Sequence, residues 1–242
     1  MTNTFVIGDI HGGLKALEQV LIKAQVKMND RLIFLGDYVD GWSETPQLLD
    51  YLINLQQHYN CIFLQGNHEE MVIKWLQNLE DNESWRFHGG QATVDVYQNI
   101  NTIHRQKHID FLSKLKDYYI DEDNRLYVHA GFTSQKGVEH EYFRGMFWWD
   151  RTLWEAAMSL DTSIEKDDIR YPKRFLLYHE VFVGHTPTIR FGSNHPMHYA
   201  NVWNIDTGAA FTGSLTIMNV VTKEFWQSDP LPILYPNERG RN

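Results

Sequence analysis

The stretch RLIFLGDYVDGW, residues 31–42, decides the fold. Its apolar run Leu32-Ile33-Phe34-Leu35 has the length of a buried strand, and a glycine closes it at once. Asp37 and Asp40 follow, three positions apart. The same unit recurs on either side. TFVIGDIHGG (4–13) runs a short apolar segment into Asp9 and His11, and CIFLQGNHEE (61–70) runs another into Asn67, His68 and Glu69. Between them, LKALEQVLIKAQ (14–25) and TPQLLDYLINLQQ (45–57) repeat apolar residues at helical spacing, Pro46 suiting a first turn, and HEEMVIKWLQNL (68–79) does so again. Strand, helix, strand, helix, strand predicts βαβ units, hence parallel strands covered by helices. In open α/β sheets ligands bind at the carboxyl ends of the strands, so the three polar clusters are expected to meet on one edge.

Further along, residues 78–118 are polar and expected to be partly helical, with WRFHGGQAT (85–93) as a Gly-Gly turn; this segment is expected to cover the site. Short strands return in NRLYVHAG (124–131) and EVFVGHT (180–186). NVWNIDTG (201–208) and GSLTIMNVVTKEFW (213–226) read as an antiparallel pair, and PLPILYPNERGRN (230–242) as a loosely ordered tail. Nothing marks a linker, so residues 1–242 are expected to form one domain.

Composition narrows the partners. With 43% hydrophobic and 22% charged residues, the chain is of the ordinary globular class rather than disordered or membrane-spanning. A net charge of −9 argues against non-specific binding to a nucleic-acid backbone or an anionic membrane, because that grip needs clustered Lys and Arg. Cys61 is the single cysteine, so no intrachain disulfide forms. The start, MTNTFVIGDIHGG, lacks a basic and apolar signal segment, and the expectation is a cytoplasmic protein.

The strand ends offer Asp9, His11, Asp37, Asp40, Asn67, His68 and Glu69, joined by His129 and His185 from the later strands. Carboxylate, amide and imidazole donors without a thiolate suit Mn²⁺, Fe or Zn²⁺. The excess of acidic donors fits two divalent ions, with Asp37 in the middle loop as the shared ligand. Each position also has a plainer reading. Asp-x-His after a strand makes an Asx-type turn, Asn67 suits a helix N-cap, and His129 and His185 could satisfy backbone carbonyls. Five separate strand-end loops carrying potential ligands argue for a common purpose instead.

GDIHG (8–12), GDYVD (36–40), GNHE (66–69), HAG (129–131) and GHT (184–186), in that order, resemble the signature of the calcineurin-like metallophosphoesterases, in particular the phosphoprotein phosphatase family with its bacterial and phage members. NIDTGAAFTGSLT (204–216) is similar to the later strands of the bacterial branch. The resemblance implies a βαβ-based sandwich of two mixed sheets flanked by helices. It implies that Asp9, His11 and Asp37 hold a first metal and that Asp37, Asn67, His129 and His185 hold a second, Mn²⁺ being favoured. His68 is implied as proton donor to the leaving group, oriented by Asp40, while a metal-activated water attacks phosphorus.

Two places depart from the family pattern. An arginine usually follows the second aspartate of GDYVD and another precedes GNHE; here Gly41 and Gln65 stand there. Neither reproduces the bidentate, permanently charged grip of a guanidinium. Arg151, in WWDRTLW (148–154), is the favoured substitute, with Arg86 in the covering segment as the weaker one. Trp42 either joins the core or fills the space an arginine would take, and Trp148 and Trp149 read as packing. The expected activity is hydrolysis of phosphomonoesters, as in serine/threonine protein phosphatases. The alternative is a symmetric dinucleoside polyphosphate hydrolase, and a non-catalytic metal- or phosphate-binding module comes third. The expected partner is a phosphorylated protein, small phosphate ester or nucleotide.

Overall fold

The computed structural model describes residues 2–241. The expected alternation is present. Strand β1 (Thr4–Ile7) leads through α1 (Leu14–Lys23) to β2 (Arg31–Phe34), and α2 (Thr45–Leu55) leads to β3 (Asn60–Phe63) and α3 (Asn67–Leu76). The strands β1, β2 and β3 are parallel neighbours in register, Val6 opposite Ile33 and Ile33 opposite Ile62. The covering segment contains α4 (Glu83–Trp85), a wide turn at Arg86–Gly90, α5 (Gln91–Tyr97) and α6 (Thr102–Leu112). After it come β4 (Tyr118–Ile120), β5 (Arg125–Val128), α7 (Met146–Trp149), α8 (Thr152–Ser159) and β6 (Glu180–Val183). The chain then forms β7 (Met197–Tyr199), β8 (Val202–Asn204), β9 (Thr216–Asn219), β10 (Phe225–Gln227) and α9 (Leu231–Leu234).

Two mixed five-stranded sheets result, in the orders β10-β9-β1-β2-β3 and β4-β5-β6-β8-β7. The period of two in each strand builds three layers of core. On β1 and β2, Phe5, Ile7, Leu32 and Phe34 pack under α1, α2 and α3, whereas Val6, Ile33 and Leu35 face the other sheet. There they meet Tyr127, Phe182 and Ile205, while Leu126, Val128, Val181 and Val183 turn outward to Phe147, Leu153 and Trp154 of α7 and α8. Both faces of each sheet are therefore covered, which is why these strands read as unbroken apolar runs.

The expected pairing of NVWNIDTG with GSLTIMNVVTKEFW is wrong. β8 pairs with β6 and β7 in one sheet, and β9 with β1 and β10 in the other; the second segment is its own hairpin, Phe225 opposite Met218. Residues 205–215 cross from sheet to sheet, so neighbours in sequence have separate partners. The expectation of a loose tail is also wrong. Leu231 is fully buried and Tyr235 nearly so; Tyr235 stacks on Trp42 with ring centroids 5.2 Å apart, and the Glu238 carboxylate accepts from Ser43 N and Oγ at 2.9 and 2.7 Å. Among the described residues no helix is long and apolar enough to cross a membrane.

Candidate metal centre

All six expected ligands and the expected acid converge at the carboxyl ends of β1, β2, β3, β5 and β6, and all are buried. The loops achieve this with unusual backbone. His11, Asp37, Asp40 and His185 have φ of +52°, +51°, +71° and +65°, a left-handed region that side-chain-bearing residues seldom occupy. Such conformations cost about 1–3 kcal/mol each and persist where surrounding structure holds them. Glu69 is one holder. Its carboxylate accepts the backbone N–H of Asp37 (2.8 Å), Gly66 (2.9 Å), Tyr38 (2.7 Å) and Val39 (3.3 Å), tying the third loop to the second. Close approach does the rest at Gly66, where a Cβ would lie 2.1 Å from Asp37 Oδ1.

Asp37 occupies the centre. One carboxylate oxygen is 3.5 Å from His11 Nε2 and the other 3.5 Å from His129 Nε2, so the two histidines flank it. The far nitrogens show which protonation state the site wants. His11 Nδ1 lies 3.1 Å from the Val39 carbonyl and His129 Nδ1 2.9 Å from that of Leu35, so each Nδ1 carries the proton and each Nε2 presents a lone pair. Asn67 Oδ1, another lone-pair donor, sits 3.2 Å from His129 Nε2 and 2.9 Å from His185 Nδ1. Asp9 Oδ1 is buried with no hydrogen-bond partner, and its other oxygen accepts from His185 N at 3.0 Å. Lone-pair donors turned toward one another in a buried space are an arrangement that a bound cation would satisfy.

Electrostatics agree. Burial, reinforced by Asp206 and Asp37, holds the Asp9 carboxyl well above its usual range; burial and then Glu69 do the same to Asp37. Burial holds His11 and His185 well below the usual imidazole range and lowers His129 to about 3. A divalent cation reverses both penalties, since it binds the carboxylate and the neutral imidazole. The donor set thus fits metal: His11, Asp37 and His68 form one compact donor cluster, and Asp37, His129 and His185 another, sharing Asp37.

His68 differs from the other histidines. Its Nδ1 is 2.6 Å from Asp40 Oδ2, and its Nε2 is buried without a partner. Asp40 is itself fixed, accepting from Trp85 Nε1 and Thr93 Oγ1 at 2.6 Å each, and burial raises its carboxyl to about 6. The covering segment therefore reaches the site through Trp85 and Thr93, and not through Arg86, whose guanidinium pairs with Asp81 at 2.6 Å near the surface. Trp42 is core, its Nε1 donating to Ala209 O at 2.8 Å. Of the two later tryptophans, Trp148 packs as expected, but Trp149 does not: it is 44% exposed, donates Nε1 to Glu70 at 3.1 Å and edges the His185 ring.

A cavity of about 440 Å³ opens over His68 and His185. Arg151 lines it, with Nη1 donating to Thr186 Oγ1 at 3.0 Å. Arg190 and Arg241 line it too, and sequence reading missed both. Asp206 was missed as well; burial raises its carboxyl to about 6, while the Gly208 N–H and then the Arg241, Arg190 and Arg151 charges oppose the rise. Only its place two residues past β8, where Asp9 stands after β1, gave a signal.

Residues 2–207 match the calcineurin-like phosphoesterase family model. The chain belongs to that family. It is a metal-dependent hydrolase of phosphate esters, which removes the non-catalytic binding module from consideration. It is 26% identical over 239 residues to the asymmetrical bis(5'-nucleosyl)-tetraphosphatase PrpE of Oceanobacillus iheyensis, covering 91% of this chain and 89% of that one. To the symmetrical bis(5'-nucleosyl)-tetraphosphatase of Pseudomonas fluorescens it is 22% identical over 290 residues, covering 96% and 98%. The structure of a protein serine/threonine phosphatase from Saccharomyces cerevisiae superposes with a TM-score of 0.61 at 11% identity, over 94% of this chain and 80% of that one. This last likeness is one of fold, and bears out the two-sheet sandwich.

Proposed function

We propose that this calcineurin-like phosphoesterase hydrolyses dinucleoside polyphosphates, with diadenosine tetraphosphate as the model substrate, in preference to phosphoproteins. The observation that carries this reading is the cavity beside the metal centre, into which Arg151, Arg190 and Arg241 all face in a chain of net charge −9. Three guanidinium groups on one cavity suit a chain of phosphates, each able to grip non-bridging oxygens in a bidentate way. The tetraphosphatases above, alike over nine-tenths of this chain, support the same choice over the phosphoprotein reading.

In this reading Asp9, His11 and Asp37 hold one divalent ion and Asp37, Asn67, His129 and His185 a second, Mn²⁺ being the favoured metal. The bound ions supply charge stabilisation and lower the pKa of attacking water. Glu69 holds the Asp37 loop in place, and the Leu35 and Val39 carbonyls keep His129 and His11 in the tautomer whose Nε2 can ligate. His68 donates a proton from Nε2 to the leaving oxygen, and Asp40, through Nδ1, steadies the imidazolium. Arg151 is read as a substrate phosphate contact.

The test is kcat/KM measured side by side on diadenosine tetraphosphate, a phosphoserine peptide and a phosphotyrosine peptide, with Mn²⁺ supplied. A preference of ten-fold or more for the dinucleotide is expected, and a preference for either peptide would overturn the reading. Separating the products also tells a central cut, giving two diphosphates, from an off-centre cut, giving a mono- and a triphosphate.

A further inference from the structure

The second motif lacks its arginine, yet the space beside it holds one. Gly41 has φ of +86°, and a Cβ built there would come 3.3 Å from Arg241 Cγ and 3.3 Å from His11 Cβ. The stem of Arg241 thus lies against the backbone from which an arginine side chain at position 41 would have started. Its guanidinium continues toward the metal centre: Nε donates to His88 O at 2.9 Å, and Nη1 lies 3.4 Å from His11 Nε2.

This placement is built rather than incidental. Residues 229–241 are anchored by buried Leu231, whose N donates to Gly213 O at 2.9 Å, by the Tyr235–Trp42 stack and by Glu238 on Ser43. The backbone N of Arg241 donates to Ala210 O at 2.8 Å. Its guanidinium lies 5.3 Å from the Phe211 ring centroid, and that of Arg190 lies 5.9 Å from the same ring. Arg31, Arg86, Arg125, Arg144, Arg170 and Arg174 each have a carboxylate within 4.0 Å; among the described residues Arg151, Arg190 and Arg241 have none, and of the others only Arg105 and Arg239, which do not line the cavity, share that. Asp206 and Asp37 offset part of this charge without pairing directly with any of the three, and Arg190 and Arg241 still act against the charge on Arg151, so an anion in the cavity relieves their mutual repulsion.

We propose that Arg241 is this enzyme's phosphate clamp, delivered to the space beside Gly41 by the 229–241 segment, with Arg190 and Arg151 on the same cavity as its companion phosphate ligands. The ligand class is a phosphate ester or anhydride whose non-bridging oxygens meet the guanidinium groups. The extension to three phosphate ligands rests on the reading under Proposed function; the clamp role of Arg241 does not.

The Mn²⁺-loaded full chain is compared with Arg241→Ala and Arg241→Gln, the latter keeping the stem and a donor. Inorganic phosphate binding is followed by calorimetry, Mn²⁺ affinity and thermal midpoint are measured, and kcat/KM is taken with p-nitrophenyl phosphate and diadenosine tetraphosphate. Loss of one charged donor to the transferring phosphoryl group predicts a fall of about 100-fold in kcat/KM for both variants. Phosphate affinity is expected to fall at least ten-fold with Mn²⁺ affinity unchanged within two-fold, and added guanidinium ion is expected to recover part of the activity of Arg241→Ala. Phosphate affinity and kcat/KM within two-fold of the parent in Arg241→Gln would overturn the proposal, as would a loss that tracks Mn²⁺ affinity or melting alone. If the parent prefers phosphopeptides while Arg241→Gln still loses phosphate, the dinucleotide reading fails and the clamp stands.

Discussion

Glu69→Gln is the substitution whose cost can be worked most directly from the structure. The Glu69 side chain is fully buried, and four backbone N–H groups point at its two oxygens: those of Asp37 and Gly66 at Oε2, and those of Tyr38 and Val39 at Oε1. Burial pushes its carboxyl up to about 7 and the four donors resist that rise; with no acceptor opposite either oxygen, the ionised form is the one the site accommodates. A glutamine is isosteric but must turn its NH₂ toward one pair of N–H groups. In either orientation two buried donors lose their acceptor and meet another donor. Each such orphan costs about 1–3 kcal/mol, giving roughly 2–6 kcal/mol, with relief of a buried charge offsetting part, so about 3 kcal/mol is expected. For a chain of this size that is a drop of roughly 6–12 °C in thermal midpoint. Because the orphaned groups belong to the loop carrying Asp37, Mn²⁺ affinity should fall with it. Thermal denaturation of the metal-free protein, followed by a Mn²⁺ titration, provides the assay. A midpoint within 1–2 °C of the parent together with unchanged Mn²⁺ affinity would refute the claim that Glu69 holds the site together.

Other outcomes follow from single contacts. Gly66→Ala places a methyl group 2.1 Å from Asp37 Oδ1, so the shared carboxylate must move, and a loss of about 10–100-fold in Mn²⁺ affinity is expected by titration. Asp40→Asn leaves His68 Nδ1 without its carboxylate; kcat should fall about 10–100-fold with KM and metal affinity retained, and unchanged kcat on a substrate with a poor leaving group counts against the proton-donor role. Away from the site, burial lowers His108 to about 4, against the pull of Asp50, so below its unfolded value of 6.5 the unfolded chain takes up that proton first. Stability from this group is complete above about pH 6.5 and is lost as pH falls toward 4; His108→Gln should flatten the decline of thermal midpoint over that window, and an unaltered slope would exclude the assignment. Cys61, its thiol raised to about 12 by burial, should resist alkylation at pH 8 in the native protein and react on unfolding.

The first sheet and the buried donor cluster were legible in the sequence because both are local. An apolar run of four or five residues ending in GD or GN specifies a buried strand and, one residue later, a donor at its carboxyl end, and parallel pairing then brings Asp9, Asp37 and Asn67 to the same edge without further information. His129, directly after β5, and His185, one glycine past β6, likewise stand at the carboxyl ends of apolar strands. What depended on contacts across the molecule was not legible. β8 and β9 lie 11 residues apart between their ends, yet they join different sheets, because their partners β6 and β1 lie elsewhere in the chain. Arg86 and Arg241 are both polar-segment arginines by sequence; one is neutralised by Asp81, five residues back, and the other is carried to the site by the docking of Leu231 and Tyr235. Local pattern determined which residues could bind metal and where on a strand they stand. Only tertiary packing decided which guanidinium groups face the cavity, since a long flexible side chain has no periodicity to betray its direction and is aimed by whatever its backbone is anchored against.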